Sequence, residues 1–187
     1  MKRLFAAILL KPNEVFSDAL IQLQAKLKRE GITWVSCHNL HLTLKFFGET
    51  NAERISAIEK ALHSGVAGVS AFDICFNRIG IFGSRYNPKV IWLGAETNPV
   101  LNHLFFQLKT ELEKSSFAYD RQNFVPHLTL GRIREISDKI LFQQVIGDYR
   151  EAFSLKQKIV SVQLYESVLT TKGPIYKTLS STPLKLQ

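Results

Sequence analysis

The sequence predicts an α+β protein of two related lobes, each with an antiparallel sheet that faces a central cleft and with helices outside. Strand-like and helix-like segments alternate along the 187 residues, and no low-complexity linker interrupts them. The residues His-Leu-Thr-Leu occur twice, as a first motif at residues 41–44 and a second motif at residues 127–130. The motifs are 127 − 41 = 86 residues apart, near half the chain, which indicates a divergent internal duplication. We therefore expect residues 1–187 to form one bilobal domain.

The first half of the chain alternates strands and helices around the first motif. Apolar runs and period-two alternation predict strands at residues 3–10, 32–35 and 41–47. Apolar residues at three-to-four spacing predict a helix over residues 13–30. Gly48 is expected to end the strand of the first motif. Thr50 and Glu53 then indicate a capping box for a second helix, whose buried face carries Ile55, Ile58 and Leu62.

The second half repeats this alternation around the second motif. Strands are predicted at residues 72–82, 90–93, 127–133, 159–164, 168–169 and 175–179. A helix opens at Asn98 with Pro99 in its first turn, and its apolar stripe runs to Leu112. A further helix is expected over residues 137–149.

The composition is that of an ordinary globular protein with an excess of positive charge. Hydrophobic residues make up 45% and charged residues 21%, which argues against disorder. No apolar run reaches the roughly 18–20 residues that span a bilayer, and two cysteines are too few for a disulfide framework. These features favour a cytoplasmic protein without a membrane span. The formal net charge of +8 favours a polyanionic partner such as RNA or DNA.

The two motifs carry the chemistry of the chain. In a strand, the His and Thr of each motif point to one face and the two Leu point to the other. One imidazole can take a proton from an attacking oxygen while the other gives a proton to a leaving oxygen. The Thr hydroxyls can donate hydrogen bonds to an anion between them. Neither motif contains Asp or Glu, so a phosphate fits better than a cation, and neither a metal nor a cofactor is expected.

Three interpretations of the duplication remain open. The first is an enzyme that cleaves or forms phosphodiesters without a metal. The second is a catalytically inert RNA-binding module that kept the phosphate cleft. The third is a structural duplication, in which a partly buried His and a Thr chosen for its β propensity only pack the core. This last interpretation predicts that His41 and His127 lie far apart or on opposite faces, whereas binding alone would not need two titratable imidazoles.

Together with residues around them, the two motifs resemble those of a known protein family. The segments Phe5-Ala6-Ala7-Ile8, residues 41–48 and residues 126–130 resemble those of the RNA 2′,3′-cyclic phosphodiesterases, also called 2′-5′ RNA ligases, of the two-histidine (2H) phosphoesterase superfamily. The resemblance covers nearly the full chain. It implies a bilobal α+β fold with pseudo-twofold symmetry. It also implies hydrolysis of 2′,3′-cyclic phosphate ends of RNA to 2′-phosphomonoesters, with reversible 2′-5′ ligation as an additional activity.

The resemblance also implies roles for individual residues. His41 would be the proton donor to the leaving 3′ oxygen, and His127 the base that accepts a proton from water. Thr43 and Thr129 would hold the phosphate. The near symmetry of the two motifs leaves the donor and acceptor roles open on the residues alone. The implied partners are RNA or oligonucleotide ends that carry a 2′,3′-cyclic phosphate, and we expect the protein to be a monomer.

Five residues outside the motifs are further candidates for the site. Arg132 could bind phosphate with two hydrogen bonds, but strict alternation points it away from His127 unless the strand ends or bulges there. Phe46 or Phe47 could stack a base, although packing in the core is the favoured interpretation for both. Lys45 shares the face of His41 under strict alternation and could add positive charge there, although a solvated rim lysine is as compatible with the pattern. Tyr176 is a weaker candidate, near the last turn.

Overall fold

The computed structural model describes residues 1–119, 123–171 and 173–186. Its described residues form nine strands and four α-helices, which confirms the α+β class. The strands are β1 (Lys2–Leu9), β2 (Gly31–Trp34), β3 (His41–Thr50), β4 (Phe72–Ser84), β5 (Asn87–Ala95), β6 (His127–Glu135), β7 (Leu155–Ile159), β8 (Ser161–Thr170) and β9 (Gly173–Pro183). The helices are α1 (Glu14–Lys26), α2 (Ile55–Gly65), α3 (Pro99–Lys114) and α4 (Lys139–Asp148).

The sheet consists of two antiparallel ladders that meet at the motif strands. One ladder runs β3-β1-β8-β9, and the other runs β6-β5-β4-β7, with β2 also paired to β6. The two ladders join where Leu42 of β3 pairs with Leu128 of β6, so the predicted two sheets form one continuous sheet of nine strands. The elements β1-α1-β3-α2 and β5-α3-β6-α4 repeat one order on the two sides of this seam. The internal duplication is therefore visible in the topology.

The core lies on the helix-covered face of the sheet. Buried apolar residues of both ladders form one cluster that includes the leucines of both motifs, Leu42, Leu44, Leu128 and Leu130, each at most 4% exposed. The opposite face of β1 and β8 carries a small second cluster of Phe5, Ala7 and Tyr165, with Tyr176 packed against it. Period-two alternation thus sends the motif leucines into the core and leaves the polar motif residues on the other face.

Local capping explains where three of the helices begin. The side chains of Asn13 and Asn98 accept hydrogen bonds from backbone N–H groups three residues later, at 2.8 and 2.9 Å. Asp138 caps α4 in the same way and accepts from Ile140 and Leu141. These side chains satisfy donors that the first helical turn leaves unpaired.

Two sequence predictions near the end of β3 are wrong. Gly48 does not end the strand, because its backbone adopts φ +69° at a bulge opposite β1 and the ladder continues to Thr50. The capping box is also absent, because Thr50 is buried and its hydroxyl donates to the carbonyl of Gly48. The helix α2 instead follows a 3₁₀ turn at Ala52–Arg54.

The length and polarity of the helices bear on whether the chain has a membrane-spanning helix. Across residues 1–119, 123–171 and 173–186, each helix is too short or too polar to cross a bilayer.

Candidate active site

The seam between β3 and β6 places the two motifs side by side. Because Leu42 pairs with Leu128 in an antiparallel register, His41 lies opposite Thr129 and Thr43 lies opposite His127. Side chains directly opposite each other in such a ladder have Cβ atoms about 4.5–5.5 Å apart. All four polar side chains are half-buried on the face away from the core. The structure therefore brings together the residues that a merely structural duplication would have kept apart.

Each motif histidine is oriented by the same backbone contact. Nδ1 of His41 lies 2.6 Å from the carbonyl oxygen of Asn39, and Nδ1 of His127 lies 2.6 Å from that of Val125. A carbonyl only accepts, so Nδ1 carries the proton in both rings. In the neutral tautomer Nε2 is then the acceptor, and in the imidazolium it is a donor. Both rings are thus fixed with Nε2 available for proton transfer.

The electrostatic environment lowers the pKa of both imidazoles. Burial lowers the pKa of His41 and of His127, and the backbone hydrogen bond of each ring opposes this effect in part. The positive charge of Arg132 lowers both pKa values further, and the charge of His127 lowers that of His41. The charge of Arg132 therefore acts on both histidines. An anion bound among them would favour the protonated form of an imidazole.

Two bulges return a further residue of each lobe to the face of the sheet that carries the motif histidines, here called the cleft face. On β6, Thr129 pairs with Trp92 and Gly131 with Ile91, so Leu130 is skipped. On β3, Thr43 pairs with Ala7 and Lys45 with Ala6, so Leu44 is skipped in the same way. Each bulge shifts the alternation by one residue. The fifth residue after each motif histidine, Phe46 in one lobe and Arg132 in the other, therefore returns to the cleft face.

The surroundings of these two residues agree with that geometry. Arg132 is exposed, and its charge acts on both histidines and on Tyr176. Phe46 is 58% exposed, and its ring centroid lies 5.9 Å from that of Phe5. The bulge in β6 therefore places Arg132 on the same face as His127, which strict alternation would not have done. Phe46 lies outside the core.

The expectation for Lys45 is wrong for the same reason. Strict alternation puts it on the face of His41, but the bulge turns it to the core side. Its side chain is buried, and its ammonium lies 4.6 Å from the centroid of the Tyr119 ring. This cation–π contact stabilises a charge away from the cleft. Burial raises the pKa of the Tyr119 hydroxyl, which therefore stays neutral.

Aromatic residues line both sides of the histidine pair. A first aromatic wall, of Phe5, Phe46, Tyr165 and Tyr176, flanks His41. Its Phe5 and Tyr176 rings lie 5.0 and 5.2 Å from the His41 ring. A second aromatic wall, of Phe82 and Trp92, flanks His127, with Phe82 edge-on at 4.7 Å.

The second aromatic wall was not predictable from the sequence. Phe82 and Trp92 belong to no motif, and they meet His127 only because β4, β5 and β6 pair in a particular register. The carbonyls that orient the histidines were missed as well, because backbone oxygens have no signal in the sequence. Within residues 1–119, 123–171 and 173–186, no group of three or more His, Cys, Asp or Glu is suited to hold a metal ion.

Two lobes that each contribute a His-x-Thr pair to one face of a shared sheet define the two-histidine class of phosphoesterases. The family model described as "LigT like Phosphoesterase" matches the chain twice, at residues 10–92 and 94–176, and each match contains one motif. The chain belongs to this LigT-like phosphoesterase family, within the 2H superfamily. The resemblance and the duplication predicted from the sequence are thereby confirmed.

Relatives and solved structures agree with this placement. The chain is 35% identical over 169 residues to the RNA 2′,3′-cyclic phosphodiesterase of Thermotoga maritima, covering 89% of this chain and 88% of that protein. It is 32% identical over 177 residues to the protein of the same name from Methanocaldococcus jannaschii, covering 95% and 98%. The crystal structure of E. coli LigT complexed with 3′-AMP has a TM-score of 0.78 at 27% identity and covers 98% of each chain.

Proposed function

We propose that this protein hydrolyses 2′,3′-cyclic phosphate ends of RNA to 2′-phosphomonoesters. The observation that carries this proposal is the seam itself. Each lobe supplies one imidazole, with Nδ1 held by a backbone carbonyl, and one hydroxyl, on the same face of adjoining strands. Two oriented acid–base groups around a space lined by hydrogen-bond donors suit in-line displacement at phosphorus.

The proposed reaction moves two protons. Neutral His127 accepts a proton from water through Nε2 as the water oxygen bonds to phosphorus. The bond between phosphorus and the 3′ oxygen breaks, and protonated His41 gives its Nε2 proton to that oxygen. The product carries a 2′-phosphate and a free 3′-hydroxyl. His41 has the donor role in the family pattern; its lowered pKa makes it a stronger acid once protonated.

The neighbouring residues have complementary roles in this proposal. The hydroxyls of Thr43 and Thr129 donate hydrogen bonds to the nonbridging phosphate oxygens. Arg132 binds the same anion through its guanidinium and stabilises the charge that develops on it. Phe46, on the first aromatic wall, stacks the base of the terminal nucleoside.

Arg132 also bears on whether a metal takes part. The donors around the seam are imidazoles, hydroxyls and a guanidinium, and its fixed positive charge would repel a divalent cation. The proposed mechanism is therefore metal-independent and needs no cofactor.

The proposed substrate class agrees with the charge of the chain and the names of its relatives. The formal net charge is +8, which favours association with RNA. The Thermotoga and Methanocaldococcus relatives are both named RNA 2′,3′-cyclic phosphodiesterases, and the E. coli structure holds 3′-AMP. We further propose that residues 1–187 form a single bilobal domain that acts as a monomer in the cytoplasm.

The test is turnover of nucleoside 2′,3′-cyclic phosphates in the presence of EDTA, with the product isomer identified by ³¹P NMR. The expected product is the 2′-phosphate, at the same rate with and without EDTA. Folded protein that turns over neither nucleoside nor oligonucleotide cyclic phosphates contradicts the proposal. Tight binding of RNA ends without turnover would support the inert RNA-binding module instead.

A further inference from the structure

The two lobes share one backbone arrangement in front of each motif histidine. The carbonyl that holds Nδ1 belongs in both lobes to the residue two positions before the histidine. The residue between them is anchored to a neighbouring strand in both lobes as well. In the first lobe the carbonyl of Leu40 accepts a hydrogen bond of 3.0 Å from the N–H of Leu10, directly after β1. In the second lobe the carbonyl of Pro126 accepts one of 3.0 Å from the N–H of Ala95, at the end of β5.

The peptide group that contains the orienting carbonyl differs between the lobes. In the first lobe the N–H of this peptide belongs to Leu40, and it donates to the carbonyl of Cys37 at 3.4 Å in a 3₁₀ turn. In the second lobe Pro126 follows Val125, and a proline nitrogen carries no hydrogen. The peptide that presents the Val125 carbonyl to His127 therefore lacks the backbone anchor of its counterpart.

A ring stack against α3 holds this segment of the second lobe instead. The ring of Phe124 lies flat on that of Phe105 in α3, with centroids 3.8 Å apart and an interplanar angle of 7°. Phe105 is buried, and Phe124 packs against the main core. The Val125 side chain is 47% exposed and adds little packing of its own. Because a residue before proline is restricted to extended conformations, fixing Phe124 and Pro126 on either side leaves the Val125 carbonyl little freedom.

We propose that Phe124 is a positioning residue for His127 and acts through the carbonyl of Val125. The inference rests on the proposed function, in which Nε2 of His127 accepts a proton from water while Nδ1 keeps its own. Without a carbonyl at Nδ1, the neutral ring can carry its proton on Nε2, which is then no longer an acceptor. Loss of the ring stack therefore lowers the fraction of His127 in the tautomer that can act as the base. The ring of His41 keeps its tautomer, because the turn that orients it has its own anchor.

The first test reads the tautomer of each histidine and needs no turnover. Long-range ¹H–¹⁵N correlation spectra are recorded at about pH 8, where imidazoles with a pKa near 6.5 or below are neutral. Spectra of His41→Ala and of His127→Ala identify the two rings, and in the wild type both should carry the proton on Nδ1. In Phe124→Leu, which keeps an apolar side chain, the signals of His127 should shift towards the Nε2–H form while those of His41 stay in place. An unchanged His127 tautomer in the folded variant overturns the proposal.

Further variants separate the ring stack from a general loss of stability. Phe105→Leu removes the stack from the side of α3 and should shift the His127 signals in the same way. The double variant should shift them no further than either single one, since each removes the same contact. Phe124→Tyr keeps the ring and should keep the wild-type tautomer. The control is Phe153→Leu, which removes one ring of the buried pair with Phe16 elsewhere in the core. A shift of the His127 signals in this control as well would assign the effect to loosened packing and overturn the proposal.

The second test is the kinetics of Phe124→Leu on a nucleoside 2′,3′-cyclic phosphate. We expect kcat to fall about tenfold while KM stays the same, because Phe124 orients the base and does not bind the substrate. This loss is smaller than the roughly 10²-fold loss expected when the imidazole itself is removed. An active wild type together with an unchanged kcat in Phe124→Leu overturns the positioning role. A shifted His127 tautomer in Phe124→Leu, with no turnover by the wild type, would support the positioning role while the proposed function fails.

Discussion

The position of the Trp92 ring depends on the missing side chain at Gly80, and this dependence allows a quantitative prediction. A Cβ atom at Gly80 would lie 2.4, 2.6 and 2.8 Å from three ring carbons of Trp92, whereas carbon atoms in contact lie about 3.5–4.0 Å apart. The ring would have to retreat by about 1 Å. It has little room to do so, because the backbone of Gly94 lies under Cζ3 and Phe82 packs beside it.

We predict that Gly80→Ala lowers the free energy of unfolding by about 1–3 kcal/mol, the usual cost of overpacking. For a chain of this size, each kcal/mol corresponds to about 2–4 °C in Tm. Urea unfolding followed by circular dichroism measures the change. Gly147→Ala in α4 is the matched control, because an added Cβ atom has nothing within 4 Å there. That variant should gain about 0.5–1 kcal/mol, since Ala is the better helix former.

The chain has two tryptophans, so the substitution Trp34→Phe leaves Trp92 as the remaining one. Its fluorescence emission in that variant reports a displacement of the ring. A shifted emission maximum in Gly80→Ala, together with lower stability, agrees with an indole held against the backbone of β4. Wild-type stability and unchanged emission in this variant would refute that packing. The Trp92 ring would then not be held against the backbone of Gly80 and Gly94.

Three other substitutions test the cleft. Arg132→Gln removes a positive charge that disfavours the imidazolium forms, so the pKa values of His41 and His127 should both rise. Both limbs of the profile of kcat/KM against pH should therefore move to higher pH. An unchanged profile would contradict the proximity of Arg132 to the two histidines. Thr129→Val should lower kcat by about 10²-fold if its hydroxyl stabilises the transition state, whereas a change in KM alone would assign it to ground-state binding. Lys45→Met should keep the wild-type kcat/KM, because Lys45 lies on the core side; a large loss of rate would return Lys45 to the cleft.

The paired motifs were predictable because they combine three regularities. Period-two alternation separates the polar and apolar residues of each motif, and the leucines at 42, 44, 128 and 130 are indeed buried. Repetition at half the chain length predicts equivalent places in two lobes, and the pairing of Leu42 with Leu128 brings those places together. Pattern, repetition and residue chemistry all indicate one site.

The bulges were not predictable, because skipping Leu44 and Leu130 leaves no compositional signal. One extra residue decides that Arg132 and Phe46 face the cleft and that Lys45 does not. The contact of Phe82 with His127 was also not predictable from the sequence, because it depends on the register of strands that are distant in the chain. Register is set by packing across the whole sheet rather than by any local segment.

The most direct measurement of the central claim is the rate of His41→Ala and of His127→Ala on a nucleoside 2′,3′-cyclic phosphate, with circular dichroism to confirm that each variant is folded. If the two motifs form one acid–base pair, each substitution alone should lower kcat by at least about 10²-fold, the usual scale for such groups. A near-wild-type rate in either folded variant would contradict a shared site at the seam.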